Sequence, residues 1–185
     1  TYEQRSFAKR VNFGLIYGMG AFRLARDSDL TLAEATEFIE TYFDRLPRVR
    51  DYIEQTKQKA REPEGLHTLF GRVRHFAALE NAGSRSNRQA IQAEERAAIN
   101  MPIQGTAADI MKRAMIDLHH HLRSNGLESK MILQVHDELV LEVPETELQS
   151  ATQLVVDVME GAYTLLAPLK ANAKVGSNWR DMKDV

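Results

Sequence analysis

At 185 residues and 43% hydrophobic side chains, the chain carries enough apolar surface for one domain or two small lobes sharing a core. No run is long enough to span a bilayer, no secretory signal pattern opens the sequence, and the absence of cysteine excludes disulfides and thiolate metal sites. The net charge of −2 hides a segregation: Arg5, Lys9, Arg10, Arg23 and Arg26 face only Glu3 in the first 26 residues, whereas no lysine or arginine occurs between Met131 and Leu169. A basic face for phosphates and a separate acidic spot for divalent metal suit that distribution, although solvated helix faces explain most such charges.

The first predicted element is a helix from Tyr2 to Tyr17. Arg5, Lys9, Phe13 and Tyr17 recur at four-residue steps, which on a helix of about 3.6 residues per turn makes one slowly drifting stripe. Two cations can meet phosphate oxygens, and two aromatics can lie against sugar and base. The same spacing also fits an ordinary amphipathic helix with solvated cations and core aromatics. Gly18, Met19 and Gly20 supply a stop or kink, and Gly14 and Gly18 allow close approach of another body.

A short helix is expected at 22–26, followed by a capping-box start at Thr31 and Glu34 ahead of apolar positions Ala35, Phe38, Ile39, Tyr42 and Phe43. Pro47 opens a further helix that Pro63 and Gly65 end. Residues 67–71 and 73–76 read as a small extended hairpin. Ser84 or Ser86 caps a long helix reaching Asn100, which Pro102 interrupts, and a second helix from Thr106 to Arg123 closes at Asn125 and Gly126.

Arg96, Asn100 and Gln104 again step by four, so they project from roughly one side of the first of those helices. His119, His120 and His121 diverge around a helix and read as surface rather than as a metal cluster. Two β-rich runs, 130–135 and 139–143, flank His136, Asp137 and Glu138, so a hairpin carries a tight polar turn. Polar residues crowd turns for local reasons, and that triplet alone is weak evidence for chemistry.

Taken in order, the stripe with Gly14 and Gly18, then Thr68-Leu69-Phe70-Gly71-Arg72, then Glu95 through Asp109, then Gln134-Val135-His136-Asp137-Glu138-Leu139, resembles the family A DNA polymerases of the bacterial DNA polymerase I type. The string from Arg5 to Gly18 is similar to that family's motif B. The resemblance covers essentially the whole chain. Single-subunit RNA polymerases share the basic and aromatic helix but match less well at the turn, where a His-Asp-Ser pattern is expected.

The resemblance implies an α+β fold: a fingers-like helical subdomain over residues 1–95, incomplete at its N-terminus, then the C-terminal part of a palm over 96–185. It implies template-directed DNA synthesis, with primer-template DNA and a dNTP as partners, no membrane, and a cytoplasmic location. Arg5 and Lys9 would bind the triphosphate, Phe13 would lie against the sugar, and Tyr17 would guard the nascent pair. Arg96, Asn100 and Gln104 would contact the minor groove, and His136 would orient the primer terminus. Asp137, with Glu138 ranked below it, would serve two Mg²⁺ ions, and Lys9 would assist the leaving pyrophosphate.

The family's other catalytic aspartate, expected in a run of the Asp-Tyr-Ser-Gln-Ile-Glu type, is not found here. The second metal carboxylate is therefore expected outside this chain, with the rest of the palm and the thumb, and these 185 residues are expected to be inactive alone. The rival reading is a non-catalytic nucleic-acid-binding module.

Overall fold

The computed structural model describes residues 1–80 and 87–185. It is α+β: helices dominate, and three separate two-stranded antiparallel sheets punctuate them. The chain divides into two compact units, Thr1–Thr106 and Ala107–Val185, and the boundary falls within a long helix.

The first unit opens with α1 (Tyr2–Ile16), α2 (Ala21–Arg26) and α3 (Leu32–Arg45). Val11 and Leu15 of α1, Leu24 of α2 and Ala35 of α3 are buried together, with Met19, Leu30, Ile39 and Tyr42 around them. That core fixes which side of α1 is hidden. α1 ends where its sequence says: Gly18 takes φ +83°, its N–H donates to Leu15 and that of Met19 to Gly14, a Schellman stop with Met19 folded over Gly14. The expected capping box opens α3, with Thr31 and Glu34 bonded reciprocally.

α4 (Pro47–Lys59) begins on its proline, and the chain then turns through Gly65 into β1 (Leu66–His67). β1 pairs with β2 (Val73–Arg74) through only two residue pairs, so the extended segments are shorter than the expected 67–71 and 73–76. The reason is the connection itself. Thr68 and Gly71 close a tight turn, and Gly71 at φ +82° ends the loop in the left-handed conformation that a three-residue hairpin connection uses. α5 (Ala77–Glu80) follows, and Phe76, Leu79, Leu66, Ala60, Ala98 and Met101 form the second core of this unit.

α6 (Arg88–Ser124) corrects the sequence reading, which broke the helix at Pro102. An interior proline costs about 3 kcal/mol because it removes a donor and crowds the carbonyl four residues back. Burial of Ala98, Ile99 and Met101 offsets that, and the Tyr52 hydroxyl donates to the Ile99 carbonyl at 2.9 Å beside the break. The suggested caps Ser84 and Ser86 lie outside the described residues. At the far end Gly126 takes φ +69° and Leu127 N–H bonds Leu122, the stop expected at Asn125 and Gly126.

In the second unit, α6 buries Ala114, Leu118 and Leu122 at four-residue spacing. β3 (Lys130–Val135) and β4 (Glu138–Glu142) form the expected hairpin, in register from Lys130 opposite Glu142 to Val135 opposite Glu138, with a bulge at Ile132. Glu138 therefore begins a strand rather than completing the turn. The carboxylate of Glu147 accepts from the Glu128 and Ser129 N–H groups and from the Ser129 hydroxyl, pinning the start of β3 to that of α7 (Leu148–Gly161). A final pair, β5 (Lys174–Val175) and β6 (Lys183–Asp184), closes the chain. No described helix is long and apolar enough to cross a membrane.

Candidate functional site

The stripe on α1 lies on the face that the first core leaves outside. At roughly 100° per residue, Val11 and Leu15 fall on the side turned away from Lys9 and Phe13. Arg5 and Lys9 are exposed, and neither has an ion pair or side-chain hydrogen bond among the described residues. By contrast, Arg23 and Arg26 both engage Asp27, whose carboxyl is held below its usual value chiefly by the hydrogen bond from Arg26. Arg10 lies over the Phe7 ring at 5.7 Å. Arg5 and Lys9 are thus cations left available for an outside anion.

Phe13 and Tyr17 continue the stripe as a stacked pair, ring centroids 6.4 Å apart and planes 17° from parallel. Phe13 is 51% exposed, a large apolar area to leave in water, and it presents a flat surface next to the two cations. Asn12 does not join that surface, since its side-chain oxygen accepts from the Tyr42 hydroxyl at 2.6 Å. The stripe is ordered from behind by α3.

The turn after Tyr17 meets α6. A Cβ built on Gly18 would stand 3.5 Å from Arg96 Cγ and 3.8 Å from Ile99 Cδ1, so the Arg96 stem packs at the end of the aromatic stripe. Within the first unit the structure therefore brings together two groups that the sequence singled out separately. Arg96 and Gln104 are exposed, and no side-chain partner is recorded for either among the described residues. Asn100 differs. Its amide donates to the Arg96 carbonyl of its own helix at 2.8 Å, and its buried oxygen has no partner. An outside acceptor must compete with that internal bond.

A contact that the sequence analysis left without a role sits just beyond Gln104. The loop from Thr68 to Arg72 grips Gly105 and Thr106: Arg72 Nη2 donates to the Gly105 carbonyl at 2.9 Å, and the Leu69 N–H donates to Thr106 Oγ1 at 3.0 Å. Nothing in periodicity links segments 37 positions apart. The nearest sequence signal is the small residue Gly105 after a polar one.

In the second unit, His136 and Asp137 form the two-residue tip between β3 and β4, and His136 takes φ +54°. Primed hairpin turns need positive φ at their first position, and a residue with a side chain there is strained. Gln134 steadies the tip by donating to the His136 carbonyl at 2.6 Å. The side chains of His136, Asp137 and Glu138 are exposed, and the two carboxylates have no partner among the described residues. Hard oxygen donors of this kind fit Mg²⁺ as part of a ligand set. They do not complete one, because no group of three or more possible metal ligands occurs among the described residues.

Comparison with known proteins gives a consistent answer. The family model described as DNA polymerase family A matches residues 1–181. DNA polymerase I of Caldicellulosiruptor bescii is 45% identical over 183 residues, which is 99% of this chain and 21% of that protein. The thermostable DNA polymerase I of Thermus aquaticus is 45% identical over 180 residues, 97% of this chain and 21% of that one. Among solved structures, the POL domain of Pol1 from M. smegmatis, in complex with DNA primer-template and dNTP, superposes with a TM-score of 0.85 at 43% identity, covering 92% of this chain and 29% of that chain. The chain spans about a fifth of the length of the curated relatives it matches.

Proposed function

The chain belongs to DNA polymerase family A, and we propose that it carries the nucleotide-binding and part of the catalytic machinery of a template-directed DNA polymerase. The observation that carries this reading is the exposed stripe of α1, where two cations without partners precede a stacked pair of aromatic rings. Residues 1–95 serve as the fingers part and 96–185 as the palm part. The rest of the palm and the thumb belong to a longer chain, which also supplies the second metal carboxylate.

Arg5 and Lys9 bind the phosphates of the incoming dNTP, Arg5 through its planar fork and Lys9 as a point charge. The primer 3′ oxygen attacks the α-phosphorus, the bond to the bridging oxygen breaks, and pyrophosphate leaves. Lys9 donates a proton to the leaving group or stabilises its charge. Phe13 packs on the sugar, and Tyr17 covers the nascent pair. If α1 moves as a lid, closure on a correct pair brings Lys9 onto the phosphates and couples base choice to chemistry.

Arg96 and Gln104, with Asn100 once its internal bond yields, test the minor groove, whose acceptors occupy similar places in every correct pair. His136 orients the primer terminus. Asp137 is the metal ligand supplied here, and Glu138 assists it. When bound, two Mg²⁺ ions would activate the 3′ hydroxyl and neutralise the leaving pyrophosphate.

The test uses the complete polymerase that contains these residues. Asp137→Ala lowers kcat for primer extension by roughly 10³-fold or more, with little change in DNA affinity. Extension that survives the substitution removes Asp137 from the site. DNA binding that falls steeply with salt, without any nucleotide-dependent extension by the unaltered protein, supports the non-catalytic binding module instead.

A further inference from the structure

We propose that the Thr68–Arg72 loop is a positioning device for Gln104, and that it sets how strictly the polymerase tests the base pair at the primer end. The inference rests on the proposed reading of Gln104 as a minor-groove contact, and it names what keeps that contact accurate.

Gln104 sits two residues after the interior proline of α6. Pro102 has no N–H to give the carbonyl four residues back, and the Tyr52 hydroxyl braces the neighbouring Ile99 carbonyl from outside the helix. A helix missing one of its own bonds can bend, and a side chain carried on it would swing with it. Its rigidity here comes from outside.

The loop supplies that rigidity at the two residues directly after Gln104. Arg72 Nη2 donates to the Gly105 carbonyl, and Thr106 Oγ1 accepts from the Leu69 N–H. Thr68 lies flush on Gly105, where an added Cβ would stand 2.8 Å from Thr68 Cγ2. Thr68 and Thr106 are both buried, at 5% and 7% exposure, so the bond from Leu69 to Thr106 is the one shielded from competing water.

The loop is itself held from inside. Thr68 Oγ1 accepts from the N–H groups of Phe70 and Arg72, and Gly71 adopts the left-handed turn that closes it. Gln104 is left exposed while the two residues after it are held by the loop. A group that tests geometry needs this arrangement, because a displacement of about 1 Å is enough to blur a hydrogen-bond test.

The experiment is a double-mutant cycle in the complete polymerase, reading the ratio of kcat/KM for extension from a matched and from a mismatched primer terminus, with thermal stability measured alongside. Thr106→Val keeps shape and removes the acceptor, and Thr106 is buried, so the change does not touch DNA directly. It lowers the ratio by roughly tenfold, and Thr106→Ser stays within about twofold of the parent. In a Gln104→Ala background Thr106→Val produces no further loss. Arg72→Ala, at an exposed position, repeats the cycle should the buried variant not fold.

A ratio untouched by Thr106→Val and Arg72→Ala, with only stability changed, overturns the positioning role while leaving Gln104 in place. A full loss that persists on top of Gln104→Ala overturns it too. A Gln104→Ala enzyme with the parental ratio instead refutes the minor-groove reading of Gln104, and the positioning proposal falls with it.

Discussion

Phe13 shows how much a single side chain can decide. Its ring is half exposed and stacked on Tyr17, and it carries no hydroxyl to replace a hydrogen bond lost when a nucleotide lacks its 3′ oxygen. In the complete enzyme, Phe13→Tyr improves the use of dideoxynucleotides relative to dNTPs by roughly 10²-fold or more, measured as a ratio of kcat/KM. An unchanged ratio would remove Phe13 from the sugar. The stripe was legible in the sequence because four-residue spacing and residue type coincide on one helix face. The internal bond of Asn100 was not, because three polar residues at equal spacing look alike until one of them turns back on its own backbone.

Among the elements, those with local chemical signatures were readable and those decided by distant packing were not. Thr31 with Glu34, Gly18 and Gly126 start or stop helices through bonds within a few residues, and each does so as its sequence indicates. Pro102 failed as a break because buried side chains and Tyr52, 47 positions from Ile99, support the helix through it. The two-residue β1–β2 pairing likewise answers to its loop rather than to β propensity.

The carboxylates that fasten elements give a pH expectation. Hydrogen bonds from Ser129, first by its hydroxyl, hold Glu147 below its usual value, and the Thr31 hydroxyl does the same for Glu34. A folded-state value below the unfolded one contributes stability that is present above the unfolded pKa, near 4.3, and lost as pH falls through the folded value. Glu147→Gln therefore lowers the thermal midpoint at neutral pH, and its deficit against the parent shrinks as pH falls below about 4. A deficit independent of pH would assign the effect to packing alone.

Across the whole molecule, the basic N-terminal stretch and the acidic stretch around Asp137 belong to different compact units, and each holds part of the proposed chemistry. The family and the α+β class were legible because motifs in fixed order span the chain. The division into units at Thr106 was not, since it falls inside an unbroken helix. With one proposed metal-binding turn and no group of three possible ligands among the described residues, the purified 185-residue chain is expected to give no Mg²⁺-dependent primer extension on a gel. Product that disappears with Asp137→Ala would contradict this.

The hairpin of β3 and β4 has one more consequence. It is a ribbon of only two strands, so each has a row of N–H and C=O groups with no neighbouring strand among the described residues, and Ile132 and Leu133 are 59% and 44% exposed beside them. Such an edge is a template for any extended segment of another chain, and it carries no proline and is blunted only by the bulge at Ile132 and by the end charges of Lys130, Glu138 and Glu142. For these residues in isolation, strand-to-strand association is expected to begin at this ribbon. A charge introduced at Ile132 would guard against it.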